Sequence, residues 1–129
     1  MPSTRVVYFC EEDGSAPALD FLVQCGRQDR RIVAKLREKI ARLAELGWEL
    51  RRPEADTLRD GIHELRVGFG GVNYRLLYSL HREPDCIALL SNGCTKEDVV
   101  PPKEIDFAVA RKDKFEADPE RHTYEANLP

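Results

Sequence analysis

The stretch Ile62-His63-Glu64-Leu65-Arg66-Val67-Gly68-Phe69-Gly70-Gly71-Val72-Asn73-Tyr74-Arg75-Leu76-Leu77-Tyr78-Ser79-Leu80 decides the fold. Apolar residues alternate with others on both sides of Gly70-Gly71, and a glycine pair tolerates positive φ at both turn positions. The pattern therefore predicts a tight antiparallel hairpin. A two-residue loop fixes the register: Phe69 faces Val72, Val67 faces Tyr74 and Leu65 faces Leu76, which gives the hairpin one apolar face toward a core. The same count sets Arg66 directly opposite Arg75, with Glu64 diagonal to Arg75. Like charges facing each other across a ladder destabilise it by up to about 1 kcal/mol. Two guanidiniums held together suit an anion such as a phosphate, which each can bind bidentately. The alternative is a solvated pair that Glu64 partly neutralises.

Downstream, Cys86 to Ser91 reads as a third strand, after a turn at His81–Asp85 that contains Pro84. Residues 92–100 are polar or small and read as a loop. Pro101-Pro102 opens a last helix with Ile105, Ala108, Val109 and Phe115 on its inner side. Upstream, Ile32, Val33, Leu36, Ile40 and Leu43 recur at helical spacing over residues 28–46, and Gly47 supplies the stop. A shorter helix starts at Ser15, the expected cap, and Pro17, and should end at Gly26. The two helices make a hairpin joined at Gly26-Arg27. Arg5 to Cys10 is a short β-branched and aromatic strand, whose place in the sheet is left open. The expected architecture is α+β: an N-terminal strand, a helical hairpin, a three-stranded antiparallel meander and a C-terminal helix, with the helices on one side of the sheet. At 129 residues this is one domain, residues 1–117, followed by a mobile tail over 118–129.

Composition narrows the function. Hydrophobic residues make up 42% and charged residues 33% of the chain, with no membrane-length apolar run, as expected of an ordinary globular protein. The first residues lack the apolar segment of a signal peptide, so a cytoplasmic location is expected. Cys10, Cys25, Cys86 and Cys94 form no Cys-x-x-Cys pair, and with His63, His81 and His122 they give no zinc spacing. We read them as reduced thiols and expect neither metal nor cofactor. There is no phosphate-binding loop, dinucleotide fingerprint or supported nucleophile triad.

The net charge of −3 speaks against a protein that coats nucleic acid. Residues 27–42 nevertheless hold seven bases against two acids, while residues 97–125 hold nine acids against five bases. In the later part of the basic run, Glu38 and Glu45 can pair with Arg31, Lys35 and Arg42 at helical spacing. Few acids accompany residues 27–31. Arg27, Arg30, Arg31 and Lys35 are the candidate nucleic-acid contacts. Tyr74 and Tyr78 alternate on the hairpin's inner side, and Trp48, just past the long helix, reads as a gap-filler.

Several short motifs occur in order: Leu58-Arg59-Asp60-Gly61-Ile62-His63-Glu64-Leu65-Arg66, Tyr74-Arg75-Leu76-Leu77-Tyr78, Ile87-Ala88-Leu89-Leu90, and Pro101-Pro102-Lys103-Glu104-Ile105 with Ala108 and Arg111. Together they resemble the RelE/ParE toxin superfamily, in particular its HigB-like, phage-related branch, over residues 5–116. The resemblance implies the toxin of a type II toxin–antitoxin pair. Many members cut messenger RNA on the ribosome without a metal, by attack of a ribose 2′-hydroxyl on the adjacent phosphate. Cations stabilise the phosphorane and another group moves protons. By motif position it implies Arg66, Arg75, Lys96 and Tyr78 as catalytic residues. It also implies a cognate antitoxin, expected to be a helix-turn-helix protein, and leaves a homodimer open.

One segment departs from the pattern. Relatives usually carry a Phe-x-Lys-Lys-Thr-x-Lys-Thr-Pro run; the aligned stretch here, Gly93 to Pro101, keeps only Lys96 and adds Glu97 and Asp98. Fewer cations near a polyanion weaken its binding. Two other readings therefore stand beside the endoribonuclease: a non-enzymatic inhibitor of DNA gyrase, as ParE-type members are, or a non-toxic protein-binding module.

Overall fold

The computed structural model describes residues 4–83, 85–95 and 99–125. Its elements are β1 (Arg5–Phe9), α1 (Pro17–Gln28), α2 (Arg30–Leu46), a short 3-10 turn (Gly47–Glu49), β2 (Ala55–Thr57), β3 (Ile62–Phe69), β4 (Val72–His81), β5 (Ile87–Thr95), α3 (Pro102–Ala117) and β6 (Thr123–Tyr124). The sheet order is β2-β3-β4-β5-β1-β6, an α+β arrangement of the RelE-like kind. The central meander β3-β4-β5 is antiparallel, and its β3–β4 hairpin has the predicted register, with Phe69 facing Val72 and Arg66 facing Arg75. Gly70 and Gly71 take φ of 59° and 79°, positive values that glycine adopts without a steric penalty and that the two-residue turn requires. β1 lies parallel to β5.

The helices do not all lie on one side of the sheet, as the sequence reading expected. α1 and α2 bury Leu22, Ile32, Leu36, Ile40 and Leu43 against Leu65, Tyr74, Leu76 and Tyr78. Strand alternation points Ile62 and Leu77 the other way, and there α3 covers them with Ile105 and Ala108. Leu77 is apolar where strict alternation would place a polar residue, so β4 has two faces to bury.

Other expectations shift for local reasons. α1 is capped by Ala16 rather than Ser15, and runs through Gly26 to Gln28. The hairpin turns at Asp29, whose carboxylate accepts from the Arg31 backbone N–H at 2.9 Å and caps α2. β2 has no signal in the sequence, being three residues long. β5 continues through Asn92, Gly93, Cys94 and Thr95, where a loop was expected. The Asn92 side-chain amide donates to the Glu104 carbonyl at 3.3 Å, so α3 takes up the donor of a polar residue inside the strand.

Part of the expected mobile tail is packed. β6 pairs with β1, and buried His122 stacks on Phe9 at 5.2 Å while its Nδ1 lies 2.8 Å from the Cys10 carbonyl oxygen. Ring stacking and edge pairing anchor residues 118–125, and neither registers as hydrophobicity in sequence. Residues 126–129 lie outside the described residues. Among the described residues no helix is long and apolar enough to cross a membrane.

Candidate functional site

Arg66 and Arg75 stand on the same face of the hairpin, as the register requires, but Glu64 stands between them. The Arg75 NH1 group donates to both Glu64 oxygens at 3.1 and 3.0 Å, and Arg66 Nε donates to Glu64 Oε1 at 2.5 Å. Glu64 is fully buried, the Arg75 side chain is 8% exposed and the Arg66 side chain 39%. β2 adds a second carboxylate, since Asp56 accepts from Arg66 at 3.1 Å and from Arg52 at 2.9 Å. Charges thus alternate along Arg52, Asp56, Arg66, Glu64 and Arg75.

The expected pair of guanidiniums awaiting an external anion is corrected here: the protein's own carboxylate sits between them. The physical reason is the like-charge penalty itself. Residues 64 and 66 share a strand face, so Glu64 reaches both cations and relieves their repulsion. Arg75 is closed to a ligand, and Arg66 is the member that reaches solvent.

Tyr78 is not with them. Its parity on β4 is opposite to that of Arg75, so it enters the core beneath α1 and α2 and is 1% exposed. Burial pushes its hydroxyl pKa up to about 12, and it stacks with His63 at 5.2 Å between ring centres. A proton-moving role beside the arginines is therefore corrected. Lys96, with Glu97 and Asp98, lies outside the described residues. Cys94 pairs in register with Arg75 on β5.

The basic helical hairpin is open. Arg27, Arg30, Arg31 and Lys35 are all exposed. A groove of about 670 Å³ runs between α1 and α2, with Val23, Gly26 and Val33 in its lining and Arg27, Arg30, Arg31 and Arg37 around it. Asp29 answers one of these charges: Arg31 donates to it at 2.8 Å, and that bonding holds the Asp29 carboxyl below its ordinary pKa. Lys35 instead lines a second hollow with Lys39, Glu54 and Arg66. It thereby connects the helix surface to the hairpin arginine. Toward the end of α2 the charge is neutralised, because Glu54 accepts from Arg42 at 3.1 Å and lies 3.7 Å from Lys39.

Residues 25–113, most of the chain and all of these arginines, match the family described as Phage derived protein Gp49-like. The chain belongs to the Gp49-like family. That family is associated with toxins of toxin–antitoxin systems and is RelE-like. No curated protein matches the chain. In this Gp49-like protein, sequence reasoning missed Asp56 as a partner of Arg66, because only β2 brings it there. Glu64 was visible as the diagonal neighbour of Arg75, yet its complete burial was not.

Proposed function

We propose that this Gp49-like protein is the toxin of a type II toxin–antitoxin pair, of the HigB-like branch of the RelE/ParE superfamily, acting in the cytoplasm on messenger RNA at the ribosome. The reaction is a metal-free endonucleolytic cut. A ribose 2′-oxygen attacks the adjacent phosphorus, the bond to the 5′-oxygen breaks, and that oxygen takes up a proton, leaving a cyclic 2′,3′-phosphate and a 5′-hydroxyl end. Arg66 faces the phosphate and Glu64 with Arg75 holds it in position. Lys96 keeps the cationic role that the resemblance gives it. The strand runs along Arg27, Arg30, Arg31 and Lys35, and a cognate helix-turn-helix antitoxin with an acidic contact surface competes for that face.

The observation that supports this reading is the set of exposed cations on the helical hairpin, Arg27, Arg30, Arg31 and Lys35, with Lys35 lining one hollow with the half-buried Arg66. Its test is induced expression followed by mapping of transcript ends. Growth arrest with new 5′-hydroxyl ends is expected; arrest with intact transcripts overturns it. A second reading, inhibition of DNA gyrase without catalysis, draws support from the closure of Arg75 by Glu64, since a binding protein needs no open guanidinium pair. Filamentation with DNA damage, and no RNA ends, would select it. The absence of any growth defect would select a non-toxic binding module.

A further inference from the structure

A cavity of about 400 Å³ opens beside the end of α2, among the 3-10 turn, β2, β3 and β4. Its size falls among small-molecule sites, which run from about 300 to 1,000 Å³. Buried Leu50, Ala55 and Tyr78 contribute an apolar lining. Two further aromatic rings line it. His63 stacks on Tyr78 and sets its Nδ1 3.1 Å from Thr57 Oγ1. Trp48 is 39% exposed, with the Arg82 guanidinium 4.6 Å from its ring centre. Arg51 and Arg52, both exposed, belong to the same lining.

Each feature excludes something. A bare inorganic anion has no use for the apolar lining, and Asp56 already takes one guanidinium nitrogen of Arg52 at 2.9 Å, so charge alone does not define this site. A wholly apolar ligand would have to lie among the guanidiniums of Arg51 and Arg52. A flat heterocycle carrying a negative group uses all of it: rings to stack on, a hydroxyl and an imidazole at its edge, and cations at its anionic end. Burial lowers the His63 pKa, so at neutral pH its ring offers one donor and one acceptor.

We propose that this cavity binds a nucleotide unit, its base against Trp48 and His63 and its phosphate on Arg51 and Arg52. A free mononucleotide and an unstacked nucleotide of single-stranded RNA share that chemistry. Neither Arg66 nor Arg75 lines the cavity, so the proposal goes beyond the toxin reading and stands whether or not expression arrests growth.

Trp48 is the chain's single tryptophan, so all tryptophan emission comes from a ring in the cavity wall. The full chain is titrated with AMP, GMP, CMP and UMP, with a mixed-sequence RNA tetranucleotide, and with ribose 5-phosphate as control. A saturable change with at least one mononucleotide, absent with ribose 5-phosphate, is expected and identifies a free nucleotide ligand. A change with the tetranucleotide alone identifies RNA as the source. Arg51→Glu with Arg52→Glu should weaken binding by about tenfold or more. Because Arg52 also donates to Asp56 at 2.9 Å, melting curves are recorded beside the titrations, and Arg51→Glu alone, which leaves that pair intact, should weaken binding in the same direction. No change with any nucleotide or oligomer overturns the proposal. So does an equal response to ribose 5-phosphate, or parental affinity in the doubly charge-reversed chain.

Discussion

Glu64 and Arg75 form a buried ion pair across the β-hairpin, with one guanidinium nitrogen 3.0 and 3.1 Å from the two carboxylate oxygens. The geometry makes sense of an unfavourable sequence choice. Two arginines face each other in register, and a carboxylate two positions along from one of them lies between both. The network that resembles an anion site from the register alone is first a piece of the fold.

Glu64→Gln should therefore be costly. Breaking a buried pair by removing one partner destabilises a protein by about 3–5 kcal/mol, and we expect a loss near the lower figure because the amide keeps the shape. Urea unfolding of both proteins measures it through the midpoint at constant slope. A loss below about 1 kcal/mol, the usual worth of a solvated pair, would mean that this one behaves as if exposed.

Arg66 is where function can be probed without unfolding the chain. Arg75→Ala takes from the buried Glu64 carboxylate the guanidinium that bonds both its oxygens and leaves it Arg66 alone, so loss of activity in that variant would report folding. Arg66→Ala removes a side chain that is 39% exposed and one of the two partners of buried Glu64; with Arg75 still bonded to Glu64, it should cost less stability than Glu64→Gln. Growth arrest on induction should disappear. An Arg66→Ala protein that melts like the parent and still stops growth removes Arg66 from the chemistry.

The hairpin surface predicts a salt effect. For a single strand, the slope of log affinity against log salt falls by about 0.7 for each phosphate that the protein ceases to neutralise. Arg27→Ala with Arg30→Ala should thus reduce the slope for single-stranded RNA by about 1.4, with an unchanged melting curve, since both side chains are exposed. An unaltered slope would show that RNA does not pass over these helices.

How much could be read beforehand depended on how each element announces itself. The β3–β4 register followed from two glycines, and the long helix from its apolar spacing. The continuation of β5 was hidden because Asn92 and Gly93 resemble loop residues, and their suitability appears only once α3 and α1 are in place against them. β2 and β6 are too short to show a period, and what holds them is pairing to β3 and β1. The candidate site was half legible for the same reason. Strand parity fixed Arg66 against Arg75 and already set Tyr78 on the opposite face, whereas burial depends on what covers each face.

Two histidines should make stability sensitive to mild acid. His81 is buried, with Nε2 2.7 Å from Ser79 Oγ. Burial lowers its pKa and that of His63 below the ordinary 6.5, against the opposing pull of Glu116 on His81 and Asp56 on His63. The folded state then takes up protons less readily than the unfolded one. Their contribution is complete above about pH 6.5 and is lost as pH falls from there through the lowered folded values. Asp29, Glu54 and Asp56, whose pKa values are lowered, act in the same direction but only around pH 4 and below. Urea midpoints should therefore drop between pH 7 and pH 5, and His63→Gln with His81→Gln should flatten that drop. A midpoint constant over the range in the parent chain contradicts the buried neutral state.

Gly93 offers the sharpest test of the packing. A Cβ at this β5 position would lie 2.2, 2.3 and 2.7 Å from atoms of the Phe21 ring. Real side chains do not approach so closely, so Gly93→Ala must push Phe21, and with it part of α1, away from the sheet. Overpacking of this kind costs about 1–3 kcal/mol, outweighing the backbone entropy gained by replacing glycine in a strand. If the clash is with Phe21, shortening that ring should remove it: Phe21→Ala alone loses packing, but adding Gly93→Ala should then cost nothing further. The double-mutant cycle by urea unfolding reads this as a coupling of the size of the Gly93→Ala loss. Strictly additive losses would mean that the residue-93 methyl meets something other than Phe21, and the placement of α1 against the end of β5 would have to be redrawn.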